Sequence, residues 1–582
     1  MLALYEAAPA LTLPSNAHTI VPLPENNNPT YTQHPHTSGP PFPRPLPHSQ
    51  PWLSPIPAHR TPINLQALAQ CLHHYPNQAR AQYLMEGLAH GFYTGFHGQR
   101  QARLSPNLPS STQHPQVITE YIAKECASGH TAGPFPQPPL KAFVVNPLGV
   151  VPKKRTGKWR LIMHLSFPAG ASVNDGIDVA DFPLRYSTVY DAMDSVMTLG
   201  RHALMAKIDV RDAFRLCPVH PVDHHLLGYR WKGHYYYEQV LPFGLRSAPF
   251  IFNCLAEAVE WIARQQGVQH IHHYLDDYFI AGPPHSPNCH RNLGCLVSLC
   301  SFLQIPLAED KQEGPTTQLE YLGILLDSAA LEARLPPSKL SDLKAAIASW
   351  SARSTCTKVE LLSLIGTLSF AAKVVPAGRT FLRRAIDLSS TVPRLRDTIA
   401  LNEGFRLDLE WWAAFATPWS GRSLFLLPHW TPAPDIHLFT DSSGGVGFGA
   451  FYQGEWFNGR WSAVQIPRSI QYKELYPIVI VALTWGERWR TLKVRFFCDN
   501  ATVVACLTSG SSHCPHVMHL MRNLSLIAAS QNFNFSAQHI AGVHNAIADS
   551  LSRFQIEEFF RLAPHANPQP TLFPQSLPFA RI

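Results

Sequence analysis

Carboxylates at the ends of apolar runs are the residues of this chain best placed to do chemistry. One lies in Lys207-Ile-Asp-Val-Arg-Asp-Ala-Phe214, which reads as a strand ending in Asp209, then a turn into a short helix. Asp276 and Asp277 interrupt His273-Tyr-Leu-Asp-Asp-Tyr-Phe-Ile280, an apolar, aromatic run with the texture of a β-hairpin. Between them, Leu241-Pro-Phe-Gly-Leu-Arg-Ser-Ala-Pro249 reads as a loop entering a helix. Adjacent acids at a hairpin tip repel each other and resist burial unless a positive charge sits beside them. A divalent ion is the natural counter-charge, and Mg²⁺ prefers the oxygen ligands that carboxylates offer. Two such ions about 3.5–4 Å apart suit nucleotidyl transfer, one at the attacking 3′-hydroxyl and one at the leaving pyrophosphate. Asp209 and Asp276 would bridge both ions, with Asp277 close by. Each acid alone has an ordinary structural role, a solvated turn or a helix N-cap. The ordered trio is harder to explain that way.

A second set lies nearer the C-terminus. His437-Leu-Phe-Thr-Asp-Ser-Ser-Gly-Gly-Val-Gly-Phe-Gly-Ala450 reads as a strand ending in Asp441, a Gly-rich turn and a second strand. Lys473-Glu-Leu475 falls in the first turn of a helix, Val494-Arg-Phe-Phe-Cys-Asp499 is a strand ending in an acid, and Gly542-Val-His-Asn-Ala-Ile-Ala-Asp549 follows. Asp441, Glu474, Asp499 and Asp549, brought from separate elements, can bind two Mg²⁺ ions for phosphodiester hydrolysis.

The elements that must position these acids fall into blocks. Residues 1–60 are rich in Pro, His, Ser, Asn and Thr. Such a segment cannot bury enough apolar surface to offset chain entropy and is expected to be disordered. Residues 61–130 form a helical extension: Leu65, Leu68, Cys71 and Leu72, then Tyr83, Leu84, Leu88 and Phe92, recur at helical spacing, and another helix is expected from Val117 to Cys126. Residues 131–330 alternate strands and helices, 331–425 are mainly helical, 430–556 are α/β, and 557–582 are again Pro-rich. A chain of 582 residues exceeds any single core. The net charge of +7 permits a polyanionic partner without demanding one. The 11 cysteines lack zinc-site spacing and read as free thiols in a reducing compartment. No apolar stretch approaches a membrane span, and no cleavable leader pattern opens the chain. A cytoplasmic or nuclear location without a membrane partner is expected.

Tyr274-Leu-Asp-Asp277 resembles the YxDD box of reverse transcriptases, Asp209 through Phe214 their first palm motif, and Leu241 to Pro249 the LPxG…SP motif between them. Order and approximate spacing also match. Lys153-Lys-Arg-Thr-Gly-Lys-Trp-Arg-Leu-Ile162 resembles the fingers hairpin that closes over the incoming nucleotide. The resemblance implies that Lys153 and Arg160 hold the triphosphate, a role that suits a guanidinium fork. It implies that the Asp212 backbone assists them, and that Phe214 is an aromatic gate favouring dNTPs over NTPs. Phe243 and Gly244 belong to the nucleotide site, Phe243 standing where retroviral enzymes often have glutamine. Lys311 falls where the family has a lysine proposed as general acid for pyrophosphate. Leu319-Glu-Tyr-Leu-Gly323 resembles the primer-grip hairpin, and the following helices the thumb and connection.

The order Asp–Glu–Asp–Asp on β–β–α–β–α texture resembles RNase H from about Asp435 to Phe554; neither His539 nor His544 aligns with the mobile histidine of retroviral enzymes. The implied fold is α+β and multidomain: a right-hand polymerase of fingers, palm and thumb, then an RNase H-like α/β domain. The implied partners are an RNA template, a DNA primer, an RNA–DNA hybrid and dNTPs, with Mg²⁺ as cofactor and Mn²⁺ as substitute. Ala132-Gly-Pro-Phe135, His164-Leu-Ser-Phe-Pro168, Ser172-Val-Asn-Asp175 and Ala548-Asp-Ser-Leu-Ser-Arg553 are most similar to the DIRS and Ngaro group of retrotransposons. The main alternative is a non-catalytic nucleic-acid-binding remnant that kept the fold. An RNA-dependent RNA polymerase shares the palm chemistry, but Phe214 and the second acid set speak against it. Oligomeric state is not legible.

Overall fold

A computed structural model describes residues 61–152 and 159–578. The expected disorder of residues 1–60 and the site assignment of Lys153 lie outside the described residues. The chain is an α+β multidomain protein of the expected class, and its described part divides into two compact units. One comprises residues 61–188 and 204–316, the other residues 189–203 and 317–578.

The first unit is built on an antiparallel sheet in the order Glu313–Thr316, Leu204–Asp209, Asp277–Gly282, Ile271–Tyr274. Its central strands are apolar enough to be buried on both faces: Met205, Ala206, Ile208, Tyr278, Phe279 and Ile280 are all within 1% of full burial. The helices Ala248–Gln265 and Asn288–Phe302 pack on this sheet. Pro249 sits in the first turn of the longer helix, where its fixed φ and missing N–H cost nothing. A second sheet runs Arg103–Leu104, Val144–Val145, Gly228–Trp231, His234–Glu238, Thr131–Phe135. A separate hairpin pairs Leu148–Pro152 with Trp159–Met163. The helices Leu65–Cys71, Gln78–His90 and Pro115–Ala127 match the expected periodicity. They belong to the same unit as the palm sheet rather than to a separate extension: Arg80 pairs with Glu257 on the long helix at 2.8 Å, and Thr61 Oγ1 donates to the Leu216 carbonyl.

The second unit begins 14 residues before the expected boundary at 330, since its main segment starts at Thr317. The hairpin of Gln318–Tyr321 and Ile324–Asp327 continues through Glu332–Arg334 to Arg422–Leu424, which ties it to the helical region. Helices Pro337–Ser351, Lys358–Ala371, Arg383–Ser389 and Glu403–Ala416 form that region around the fully buried Trp411 and Trp412. Thr357 and Glu360 close a reciprocal capping box at the start of the second helix. The C-terminal part has an antiparallel sheet of Leu438–Ser442, Gly447–Tyr452 and Glu455–Arg460, and a parallel one of Trp430–Pro432, Lys493–Cys498 and Asn534–His539. Helices Ile470–Trp485, Ala501–Ser509, Pro515–Gln531 and Ala546–Ser552 complete it.

This part does not stop at residue 556. Helix Ile556–Leu562 buries Phe559 against Phe451 and Trp456, the Trp456 indole donates to the Asn567 carbonyl, and Phe573 packs on Phe457. The expected Pro-rich tail from 557 is therefore a packed strap through residue 573. Aromatic side chains anchor it, and they need no periodic pattern to do so. Among the described residues no helix is long and apolar enough to cross a membrane.

Candidate active sites

The first acid set converges in the first unit. Strand Leu204–Asp209 pairs in register with Asp277–Gly282, so Asp209 lies directly opposite Asp277. Asp276 occupies the turn before Asp277, and its carbonyl accepts from the Val210 amide at 2.9 Å. Leu275 has φ +54°, the left-handed conformation that makes so tight a corner between two strands. Asp209 is 4% exposed, and Lys311 Nζ donates to its Oδ1 at 2.8 Å. Burial, then the charge of Asp209, push Asp276 up to about 6. Burial, then Asp276 and Asp209, push Asp277 up to about 8. Burial draws Lys311 down, but its bond to Asp209 and the charge of all three acids hold it above the ordinary lysine value.

The residues expected around the nucleotide are also here. Asp212 is exposed with φ +54° and begins the turn Ala213–Leu216. Phe214 is 3% exposed; its ring lies 5.1 Å from that of Phe243, which is 45% exposed. Gly244 has φ +97°, a conformation that disfavours any side chain. Its carbonyl accepts from Asn174 Nδ2 at 2.8 Å, while Asn174 Oδ1 accepts from the Arg246 amide, so one buried amide fixes the loop. Arg160 stands on the fingers hairpin opposite Val151. Sequence reasoning missed Asn174 in this role, and missed a buried ion cluster at Arg215. A charged residue inside an otherwise apolar segment was the available signal for the latter.

The second acid set converges in the second unit. Asp441 pairs with Gly449 on the neighbouring strand. A Cβ at Gly449 would lie 2.4 Å from Leu551 Cβ, so only glycine lets the helix Ala546–Ser552 lie down on the sheet and bring Asp549 to Asp441. Ser552 Oγ donates to Asp441 Oδ2 at 2.7 Å, and Asn545 Nδ2 donates to the Thr440 carbonyl at 2.8 Å. Glu474, Cys498 and Asp499 place ligand atoms within 4.8 Å of one another. Burial, then Asp441 and Asp499, raise Glu474 to about 8. Burial raises Asp441 to about 7, with Asp549 and Asp499 adding to it against the Ser552 bond. Asp549 pairs with Arg553 at 2.7 Å at the outer edge. His539 Nε2 lies 3.1 Å from the Asp499 carbonyl. Cys498 and Ser552 were not anticipated; neither has a spacing that marks it.

Both sets are oxygen-rich, half-buried and mutually repelling, which is the donor set a hard divalent cation takes. The residues present therefore fit Mg²⁺.

Residues 151–326 match the family described as “Reverse transcriptase (RNA-dependent DNA polymerase)”. Over 373 residues the chain is 22% identical to the Transposon Tf2-3 polyprotein of Schizosaccharomyces pombe and 21% to the Tf2-7 polyprotein. These matches cover 60% of this chain and 25% of each relative, so the chain spans about a quarter of their length. Among solved structures, the foamy viral protease-reverse transcriptase in complex with RNA/DNA hybrid is 15% identical, with a TM-score of 0.46, covering 84% of this chain and 65% of that one. The same protein in complex with dsDNA is 16% identical, with a TM-score of 0.44, covering 83% and 99%. The chain is similar to retrotransposon polyproteins, and Asp209, Asp276 and Asp277 lie in the segment that matches the reverse transcriptase family.

Proposed function

We propose that this chain is an RNA-directed DNA polymerase that also cleaves the RNA strand of an RNA–DNA hybrid. The observation that carries the first half is the pairing of Asp209 with Asp277, with Asp276 at the adjoining turn, inside the region that matches the reverse transcriptase family. Asp209, Asp276 and Asp277 would hold Mg²⁺, or Mn²⁺ in its place. Bound there, the ions would lower the pKa of the attacking 3′-hydroxyl and offset charge on the leaving pyrophosphate. Lys311 neutralises one charge of the acid cluster through its bond to Asp209. Lys153 and Arg160 hold the triphosphate of a dNTP, aided by the Asp212 backbone. Gly244 lets the backbone approach the nucleotide closely, and the Phe214–Phe243 ring pair meets its sugar face. The substrates are an RNA template with a DNA primer, in the cytoplasm or nucleus.

Asp441, Glu474, Asp499 and Asp549 support the hydrolytic half, on an RNase H-like fold. Their carboxylates would hold Mg²⁺ for hydrolysis of the hybrid's RNA strand. Ser552 and Asn545 orient the Asp441 carboxylate and its strand. The four segments named above from Ala132 to Arg553 support a DIRS- or Ngaro-like origin. A tyrosine recombinase gene beside this one would bear that out, and an integrase gene would overturn it.

Primer extension on an RNA template, with dNTPs compared against NTPs, tests the reading. Extension with dNTPs is expected. A folded protein that binds template and extends nothing would make the chain a nucleic-acid-binding remnant.

A further inference from the structure

Directly after Phe214 in the chain comes a charge that an apolar site does not need. Arg215 is 5% exposed and belongs to the turn Ala213–Leu216. Its Nη1 donates to Glu238 Oε2 at 2.6 Å, its Nη2 to the Tyr121 hydroxyl, and its Nε lies 3.2 Å from Glu125 Oε2. His130 Nδ1 meets the same Glu125 oxygen at 3.0 Å. Glu125 and Glu238 are 5% and 3% exposed. The cluster joins helix Pro115–Ala127, strand His234–Glu238 and the turn that carries Phe214.

Burying such a cluster is not an efficient way to gain stability. Well-packed apolar side chains of equal volume often do as well or better. What a guanidinium fork adds is direction, since its donors are fixed in one plane. Here that direction is applied to the two segments that meet at the nucleotide. The Arg215 amide donates to the Asp212 carbonyl at 2.7 Å, closing the turn. Arg215 Nη1 lies 3.5 Å from the Leu241 carbonyl, two residues before Phe243. The Leu241 amide donates to the Cys217 carbonyl at 3.0 Å. Phe214 and Phe243 therefore ride on segments laced to each other by the backbone and by Arg215. Behind them is a small cleft lined by Arg215, Glu238 and Tyr121 on its polar side and by Met163 and Phe243 on its apolar side. Into that space the exposed Phe243 ring could recede if the lacing were loosened.

We propose that Arg215 is a positioning residue for sugar selection: through Glu238, Glu125 and Tyr121 it locks the Phe214–Phe243 ring pair at a fixed height beneath the nucleotide sugar. The proposal rests on the reading of Phe214 as the sugar gate. Arg215 touches no substrate and acts only through the two rings.

The test is single-nucleotide insertion by the full chain on an RNA template, read as kcat/KM for a dNTP over that for the matching rNTP. The variants are Phe214→Val, Arg215→Lys and the double change, with thermal unfolding of each as a check on folding. Arg215→Lys keeps the charge and loses the fork. It should lower discrimination about tenfold, mainly through a lower KM for the rNTP, since a looser steric pocket forfeits discrimination of that order. The double variant should discriminate no worse than Phe214→Val alone, because residues acting through one element are not additive. Replacing the cluster by apolar side chains, Arg215→Met with Glu125→Leu and Glu238→Leu, should keep stability but not discrimination, and retained discrimination there overturns the proposal.

Unchanged discrimination in folded Arg215→Lys, with a clear loss in Phe214→Val, overturns the proposal and leaves the gate standing. So does a double variant that loses the product of the two single effects. If Phe214→Val itself discriminates normally, the gate reading falls and the proposal falls with it. Should Arg215→Lys fail to fold, Tyr121→Phe carries the test. It removes one partner of the fork and should lower discrimination about threefold, and no change there overturns the proposal.

Discussion

At the scale of single residues, Asp209 and Asp277 face each other on paired strands, with Asp276 at the adjoining turn. Asp276→Asn keeps shape and removes charge, so it should cut primer extension by about a thousandfold or more while template binding persists, the effect of losing an ion that contributes several kcal/mol at the transition state. Extension at the wild-type rate in Mg²⁺ would show that the palm assignment is wrong. The pH dependence follows from the same crowding. Asp276 and Asp277, at about 6 and about 8, lie above the ordinary carboxylate value, so without a cation they hold protons into the neutral range. A cation must displace those protons, and binding therefore weakens as pH falls. The Mg²⁺ concentration for half-maximal extension should rise between pH 8 and pH 6, by about tenfold per unit wherever one proton is released per ion. A requirement that stays flat across that window would mean these carboxylates are not ligands. All of these acids were legible in the sequence because each ends or interrupts an apolar run. Asn174, Cys498 and Ser552 were not, since a buried polar side chain that serves its neighbours has meaning only through contacts made far along the chain.

At the scale of elements, local pattern was legible and distant pairing was not. The helices at Leu65–Cys71, Gln78–His90 and Pro115–Ala127 follow their apolar spacing, and the hairpin around Leu148–Pro152 follows its β-branched run. The union of Glu332–Arg334 with Arg422–Leu424 leaves no mark in either segment, because the strands are short and their partners lie nearly a hundred residues apart. The strap from Ile556 to Phe573 was hidden for a similar reason: Trp456 and Phe457 hold it, and they belong to another strand. Two elements invite measurement. In sequence, the basic run from Lys153 to Arg160 follows the strand Leu148–Pro152 and ends within the strand Trp159–Met163. Template affinity should fall linearly on a log–log salt plot. Neutralising one phosphate-binding lysine in that run should lessen the slope by roughly 0.7–0.9. A flat salt response would point to another kind of partner. Helix Pro515–Gln531 is joined to helix Glu403–Ala416 by Arg522, whose Nη2 and Nε reach Asp408 Oδ1 at 2.8 and 3.1 Å with both side chains at most 4% exposed. Arg522→Ala removes both short bonds to a buried carboxylate, leaving it Arg384 at 3.5 Å, and should destabilise the second unit by roughly 1.5–3 kcal/mol in chemical denaturation. A loss under about 1 kcal/mol would show that water replaces the guanidinium there.

At the scale of the whole molecule, the question is whether the two acid sets are one machine or two. The first is assembled wholly from residues between Leu204 and Thr316, in one compact unit. The second is assembled wholly from residues between Leu438 and Ser552, in the other. Among the described residues, each acid owes its place to strands and helices within its own unit. Sites with no shared partner behave additively to within a few tenths of a kcal/mol. Asp499→Asn should therefore abolish cleavage of RNA in an RNA–DNA hybrid and leave DNA synthesis near normal, while Asp276→Asn should do the reverse. The amide replaces the carboxylate atom for atom, so a folding defect is the less economical explanation of either loss, and equal unfolding curves for the two variants would dispose of it. The measurement is a paired assay on one preparation of each protein, with hybrid cleavage and primer extension run side by side. Normal cleavage by Asp499→Asn would reduce the second acid set to a structural relic and leave only the polymerase. Loss of both activities from either change would mean that the two units act on the nucleic acid only in concert, a coupling that no shared residue of the two sites can explain.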